Sequence, residues 1–236
     1  MSSVRARQAV AETVGTLLLV TAVVGSGIAA ERLSPDPGVQ LLVNAFATAG
    51  ALVAVILAVG PVSGAHLNPA VSVADAALGG LRRSALATYL PAQVAGACLG
   101  AVLANVMFGE PAVALSRHAR GGAGTLLAEA VATAGLLLVV FGVVRSGRAT
   151  VAPFAVAAYI AGAYFFTSST SFANPAVTVG RALSDTFAGI APRSVPAFLA
   201  AQALGAAAGT ALVRVLYPTV AAAAGDVVVP HPEEPR

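Results

Sequence analysis

Charge is what this sequence has least of. Asp, Glu, Lys and Arg make up 10% of its 236 residues, against about 25% in a typical soluble domain, and mean hydropathy is +0.86. A surface so poor in charge does not suit water. Lysine is absent, so all 13 basic residues are arginine, and a net charge of +3 on an apolar chain gives no nucleic-acid footprint. A single cysteine, Cys98, excludes an intramolecular disulfide and any cysteine-rich metal site. His66, His118 and His231 are too scattered for a metal centre, and the composition calls for no cofactor. No Gly-x-Ser-x-Gly turn and no serine beside a positioned histidine occurs, so the hydroxyl-rich stretch "TSSTS" gives little support to a hydrolase.

What the chain does have is long uncharged runs. Residues 38–74, 84–109, 149–180 and 194–213 contain no Asp, Glu, Lys or Arg, while 8–30 and 121–144 carry one each, Glu12 and Glu129. A spanning helix needs about 20 mostly apolar residues, and lipid permits only helices or closed barrels. The Ala- and Leu-rich pattern favours helices, so the reading is an all-α membrane protein with spans at 8–30, 39–59, 85–108, 122–144, 150–167 and 195–217. The first run is too long for a signal-peptide core and contains Glu12. Arginine pairs at 5/7, 82/83 and 145/148 mark cytoplasmic loops. That places both termini inside, with Arg32, Arg117, Arg120 and Arg193 in the alternate loops.

The same phrases occur twice. "AETVGTLLLV" (11–20) is answered by "AEAVATAGLLLVV" (128–140), "NPAVSV" (68–73) by "NPAVTV" (174–179), and "AQVAGACLGAVL" (92–103) by "AQALGAAAGTAL" (201–212). Three landmarks recurring in one order signify an internal repeat. Three spans per half is an odd number, so the second half enters from the opposite side as an inverted repeat. The expected division is 1–118, 119–218 and a Pro-rich, disordered tail at 219–236. Gly96/Gly100 and Gly205/Gly209 read as close-packing sites between spans three and six, with Gln93 and Gln202 bonding between helices.

Only about 20 residues separate Gly60 from Arg82, too few for another crossing and its turns, and the stretch from Thr167 to Arg193 is similar. Each must dip into the membrane and return as a re-entrant loop plus a half-helix. Pro69 and Pro175 suit a first helical turn, Asn68 and Asn174 the cap before it, with Ala70 and Ala176 following. Non-helical backbone at such depth is tolerated where it lines a cavity or is buried in protein. Inversion would bring both half-helix N-termini together near the midplane, with positive dipole ends and two amides facing one narrow spot.

Paired Asn-Pro-Ala boxes in a six-span inverted repeat resemble the aquaporin (major intrinsic protein) family, and "SGAHLNPAV" and the Gln…Gly-x-x-x-Gly helices add to the likeness over nearly the whole chain. The resemblance implies a passive channel, not an enzyme. It implies a pore in each subunit of a homotetramer in the plasma (inner) membrane, carrying small neutral solutes through the lipid bilayer. It also implies an arginine directly after the second box, and here that residue is Val177. Counted without gaps, the remaining outer-constriction positions fall on Thr48, Gly162 and Ser171. All four are small and uncharged, which implies a wider rim admitting polyols or metalloid hydroxides such as arsenous acid. Gly64, Ala65, His66, Ser169 and Thr170 are expected to line the pore. Arg181, two turns past Asn174, is either a vestibule residue or an arginine snorkelling to the headgroups.

Glu12 and Glu129 admit two readings: braces that accept hydrogen bonds from the re-entrant loops, or proton relays of a coupled carrier. Matched placement in both repeats favours braces. A non-conducting structural homologue is the remaining alternative.

Overall fold

A computed structural model describes residues 3–218 of the chain. Eight α-helices follow in order: α1 Ser3–Leu33, α2 Pro37–Ser63, α3 Pro69–Leu78, α4 Leu86–Met107, α5 Ala123–Arg145, α6 Ala152–Phe166, α7 Pro175–Arg181 and α8 Val195–Leu216. Among the described residues there is no strand. Six of the helical segments are long and apolar enough to cross a membrane, while α3 and α7 are the short half-helices. The expected tail, 219–236, lies outside the described residues.

The helices overrun the expected spans at several ends. α1 runs from Ser3 to Leu33 and includes Arg5, Arg7, Glu31 and Arg32. An uncharged run marks what lipid can cover, and helical hydrogen bonding continues past it into water. Local chemistry sets other ends: the Asp36 carboxylate accepts from the Gly38 and Val39 N–H groups ahead of α2, with Pro37 in the first turn. That helix stops at Gly64, whose φ of 80° lies in the left-handed region that glycine adopts freely.

Packing is organised within each half. α4 lies along α1, and α8 lies along α5. A Cβ at Gly96 would run into the Thr13 carbonyl of α1, and one at Gly205 into the Ala130 carbonyl of α5. The glycine pairs therefore join the third span to the first and the sixth to the fourth, correcting the expectation that they join spans three and six. Backbone-to-backbone contact of this kind admits no side chain.

Large apolar side chains also cover the outside, among them Phe46, 80% exposed, and Leu204, 70% exposed. The interior in turn holds polar groups such as Gln93, Gln202, Glu12 and Glu129, all at 0% exposure. A soluble protein reverses both tendencies, and lipid contact accounts for the pattern.

Above α7, the connection after α4 lies on the chain leading to α8. The Ala114 and Ser116 N–H groups donate to the Leu183 and Ala182 carbonyls, and the Ala191 N–H to the His118 carbonyl. Arg117 clasps Asp185 with both its guanidinium and its backbone N–H, at 2.7 and 2.8 Å.

Candidate functional site: the passage between the half-helices

Each Asn-Pro-Ala box opens a half-helix as its chemistry dictates. Asn68 is extended at φ −155° and accepts the Ala70 N–H on its side-chain oxygen; Asn174, at φ −154°, accepts those of Ala176 and Val177. Pro69 and Pro175 occupy the first helical turn, where the missing donor costs nothing. With the oxygens so engaged, the amide nitrogens must point outward, which settles their orientation.

The two amides then cross. Asn68 Nδ2 donates to the Ala173 carbonyl and Asn174 Nδ2 to the Leu67 carbonyl, both at 2.8 Å. Each hairpin tip is thus tied to the residue just before the other's cap. A side-chain amide has two N–H donors, so each asparagine keeps one for the passage it borders.

The loops ahead of the caps are strained. Ala65, Leu67, Thr170, Ser171 and Ala173 all have positive φ, between 46° and 60°, where non-glycine residues are uncommon. Buried carboxylates hold them there. Glu12 accepts from Ser63 Oγ and the His66 N–H on one oxygen, and from the Leu67 N–H and Gln93 Nε2 on the other, at 2.7–3.0 Å. Glu129 accepts from the N–H groups of Phe172 and Ala173 and from Gln202 Nε2. Gln93 also donates to Ser72 Oγ, and Gln202 to Thr178 Oγ1. Carboxylate, glutamine and half-helix hydroxyl therefore form the same triangle in each half. The glutamines bond within their own half, to a brace and a half-helix.

Between the tips runs a cavity of about 60 Å³. One water needs about 10–15 Å³ by this measure, so four to six fit, a file rather than a pool. Most of the wall is aliphatic: Leu19, Val23, Leu52, Ile56, Val71, Leu136, Val140, Val156 and Ile160. Polar groups interrupt it at Thr48, His66, Asn68, Tyr164, Ser171, Asn174 and Arg181. An apolar wall holds solute weakly, and a row of spaced polar groups replaces its lost hydration. His66 Nδ1 lies 3.0 Å from Ser72 Oγ, and its Nε2 lies 3.7 Å from Asp75 on α3.

Thr48, Ser171, Val177, Ala65 and His66 border this cavity, as do both asparagines. Gly64, Ser169 and Thr170 are not among its lining residues; Gly64 and Thr170 carry left-handed turns of the loops. Gly162 is displaced outright. It is exposed, and a Cβ there would approach only the Phe166 ring, at 3.8 Å. The α6 face toward the passage carries Val156, Ile160 and Tyr164, spaced four apart, and Gly162 falls on the opposite side. Tyr164 stands where glycine was expected, its hydroxyl 3.1 Å from Thr48 Oγ1. The outer end is therefore narrower and more polar than four small residues would make it.

Arg181 is neither snorkelling nor exposed in a vestibule. It is buried, at 2% exposure, bordering the cavity, with Nε donating to the Ala188 carbonyl. Its guanidinium carbon lies 3.4 Å from the centre of the Phe172 ring, and that of Arg120 lies 5.1 Å from the same ring. Phe172 thus has two guanidinium groups near its ring. Sequence reasoning missed Tyr164 as a site residue and left open which of Phe165, Phe166 and Phe172 reaches the passage; Phe172 lines it, and the period-four spacing from Val156 is the signal that would have found the tyrosine.

Among the described residues no group of three or more His, Cys, Asp or Glu side chains could hold a metal.

A model of the family described as "Major intrinsic protein" matches residues 1–171. The aquaglyceroporin AqpS of Rhizobium meliloti (strain 1021) is 47% identical over 208 residues, covering 88% of this chain and 89% of that protein. Aquaporin NIP1-3 of Oryza sativa subsp. japonica is 32% identical over 186 residues, 75% of this chain and 64% of that one. Among solved structures, the aquaglyceroporin from Plasmodium falciparum superposes with a TM-score of 0.68 at 19% identity, covering 92% of this chain and 98% of that one. At that identity the likeness is one of fold.

Proposed function

This chain belongs to the major intrinsic protein family, and from that premise we propose that its passage carries small uncharged polyhydroxy solutes, metalloid hydroxides such as arsenous acid among them, beside water and glycerol. It is a passive channel and not an enzyme. The observation that carries the reading is the outer end of the cavity. Thr48, Tyr164 and Ser171 bring three hydroxyl-bearing side chains to its lining, and Ser171 Oγ is buried with no hydrogen-bond partner among the described residues. A buried hydroxyl left without a partner is costly, and a passing hydroxylated solute supplies one.

Val177 supports the same reading, since an aliphatic side chain borders the cavity where an arginine would fill it. The match to an aquaglyceroporin over most of both chains adds to this.

The proposal extends to assembly and place: a homotetramer in the plasma (inner) membrane with both termini cytoplasmic. Arginine pairs at 5/7, 82/83 and 145/148 fall at helix ends that six alternating spans put on one side. Exposed aromatic side chains on α2 (Phe46) and α6 (Phe154, Phe165 and Phe166) offer apolar faces to lipid or to neighbouring subunits. Native mass spectrometry in detergent reads the copy number, and a monomer would overturn that part.

The test of solute class is stopped-flow flux in proteoliposomes for water, glycerol, urea and arsenous acid. The reading requires glycerol and arsenous acid flux well above empty vesicles. Water flux alone, with neither of these, would overturn it.

A further inference from the structure

Arg181 has more behind it than a helix end requires. An arginine at the end of a membrane helix normally extends to the headgroups; this one turns inward, against the cost of desolvating a buried ion. Among the described residues its side chain's one hydrogen bond goes from Nε to the Ala188 carbonyl, so its terminal nitrogens make none, and no carboxylate among them pairs with it. The charged groups within electrostatic range are Arg120 and Glu129, and Glu129 spends its oxygens on the Phe172 and Ala173 N–H groups and on Gln202. Two cations and one anion leave this corner net positive.

Its position along the passage is equally specific. Arg181 follows Val177 by four residues on α7, which puts both on one face, and its guanidinium reaches the ring of Phe172, the residue next to Ser171. Both border the cavity. Phe172 fixes the guanidinium by stacking at 3.4 Å, and Glu129 fixes Phe172 by its backbone N–H. The loop brace therefore positions the charge.

We propose that Arg181 is a specificity-determining residue of this channel: it supplies the cation barrier of the outer passage, beside the uncharged lining groups Thr48, Tyr164, Ser171 and Val177. Width and charge are thereby separated. The uncharged groups set which neutral solute fits, and the guanidinium beside them repels cations. The inference rests on the channel reading, because a barrier has meaning only along a conducting path.

The experiment uses the full chain in proteoliposomes, reading glycerol flux and, in the same vesicles, proton and methylammonium leak under an imposed potential. Wild-type glycerol flux tests the channel reading alone; the change in cation leak between wild type and variants tests Arg181 alone. Arg181→Gln keeps a donor for the Ala188 carbonyl, and Arg181→Met removes it. Either variant, eluting as a folded species in detergent, is expected to raise cation leak about 100-fold, the factor that a unit charge about 6 Å away exerts at an effective dielectric of about 20. Glycerol flux above that of empty vesicles is required of each variant, so that the leak is read on a conducting passage. Arg181→Met combined with Val177→Arg should return the leak toward wild type while cutting glycerol flux, because a long charged side chain then replaces the small one at 177. Folded single variants as cation-tight as wild type would overturn the proposal, and so would a double variant that stays leaky.

Discussion

Asn68 and Asn174 never bond each other, yet each is held by the other's loop. Asn68 donates to the carbonyl before Asn174's cap position, and Asn174 donates to the carbonyl before Asn68's, both at 2.8 Å. The two half-helices form a closed pair of crossed bonds, so neither tip can retract without breaking both.

Asn174→Asp removes one crossed donor and sets a carboxylate against the Leu67 carbonyl. Leaving a buried carbonyl unsatisfied costs about 1–3 kcal/mol. The expected outcome is a lower unfolding temperature in detergent with water and glycerol flux falling together, since the defect lies in the shared tip and not in the solute ring. Unchanged flux with wild-type stability would show that the crossed bonds do not hold the passage open.

Glu129→Gln tests brace against relay. The glutamine amide would turn a donor toward the Phe172 and Ala173 N–H groups or toward Gln202 Nε2, which already donate there. Bonds to a charged acceptor contribute about 1.5–3 kcal/mol, so stability should drop by that order. Uptake by wild type should be indifferent to a pH gradient across the vesicle. Gradient-driven accumulation, abolished by this variant, would instead make the chain a coupled carrier.

Tyr164→Ala and Gly162→Ala form a matched pair on one helix. The first opens the outer ring and frees Thr48 from its contact with the tyrosine hydroxyl; four- and five-carbon polyols should pass several-fold faster, with water little changed. The second adds a methyl on the opposite face, near the Phe166 ring alone, and should leave every flux at wild-type level. The reverse pattern would return the constriction to position 162.

Val177→Arg puts a long charged side chain where an aliphatic one borders the cavity. Glycerol and arsenous acid flux should fall several-fold more than water flux, because water is the smallest of the three. Equal losses would mean that Val177 does not stand at the size-setting level.

Arg117 and Asp185 give a pH dependence whose sign is fixed. The Arg117 backbone N–H and guanidinium hold the Asp185 carboxyl below the usual carboxylate range. A carboxyl lowered on folding contributes stability that is fully present above its unfolded value of about 3.9 and disappears as pH falls through the lower folded value. The protection factor of the Arg117 amide, its exchange relative to the free-peptide rate at each pH, should therefore hold through mild acid and fall only below about pH 3.9. The pair is largely exposed, so little change in global unfolding should accompany it.

Much of this architecture was legible in residue order because its determinants are local. Uncharged runs of span length leave lipid as the only suitable solvent, and Asn-Pro at the start of a short apolar stretch is a cap followed by a first turn wherever it occurs. Glu12 and Glu129 were visible as a pair because a carboxylate inside an uncharged run needs partners, and the repeat supplied two loops. The glycine pairs were visible as packing sites, but their partners were not. Nothing in Gly96 or Gly205 names the facing helix, and the chain chose the first span of each half.

The order of residues by itself determined that this protein crosses a membrane six times and turns back twice, since charge, span length and proline chemistry act over a few residues. Only the tertiary structure decided that Tyr164 rather than Gly162 faces the passage and that Arg181 points inward. The rotation of α6 and the path of the loop ahead of Asn174 shift the facing residue by two, which counting along the chain does not register. A guanidinium near a helix end goes to water unless a ring and a carbonyl are already in place, and Phe172 and Ala188 come together with it only on folding.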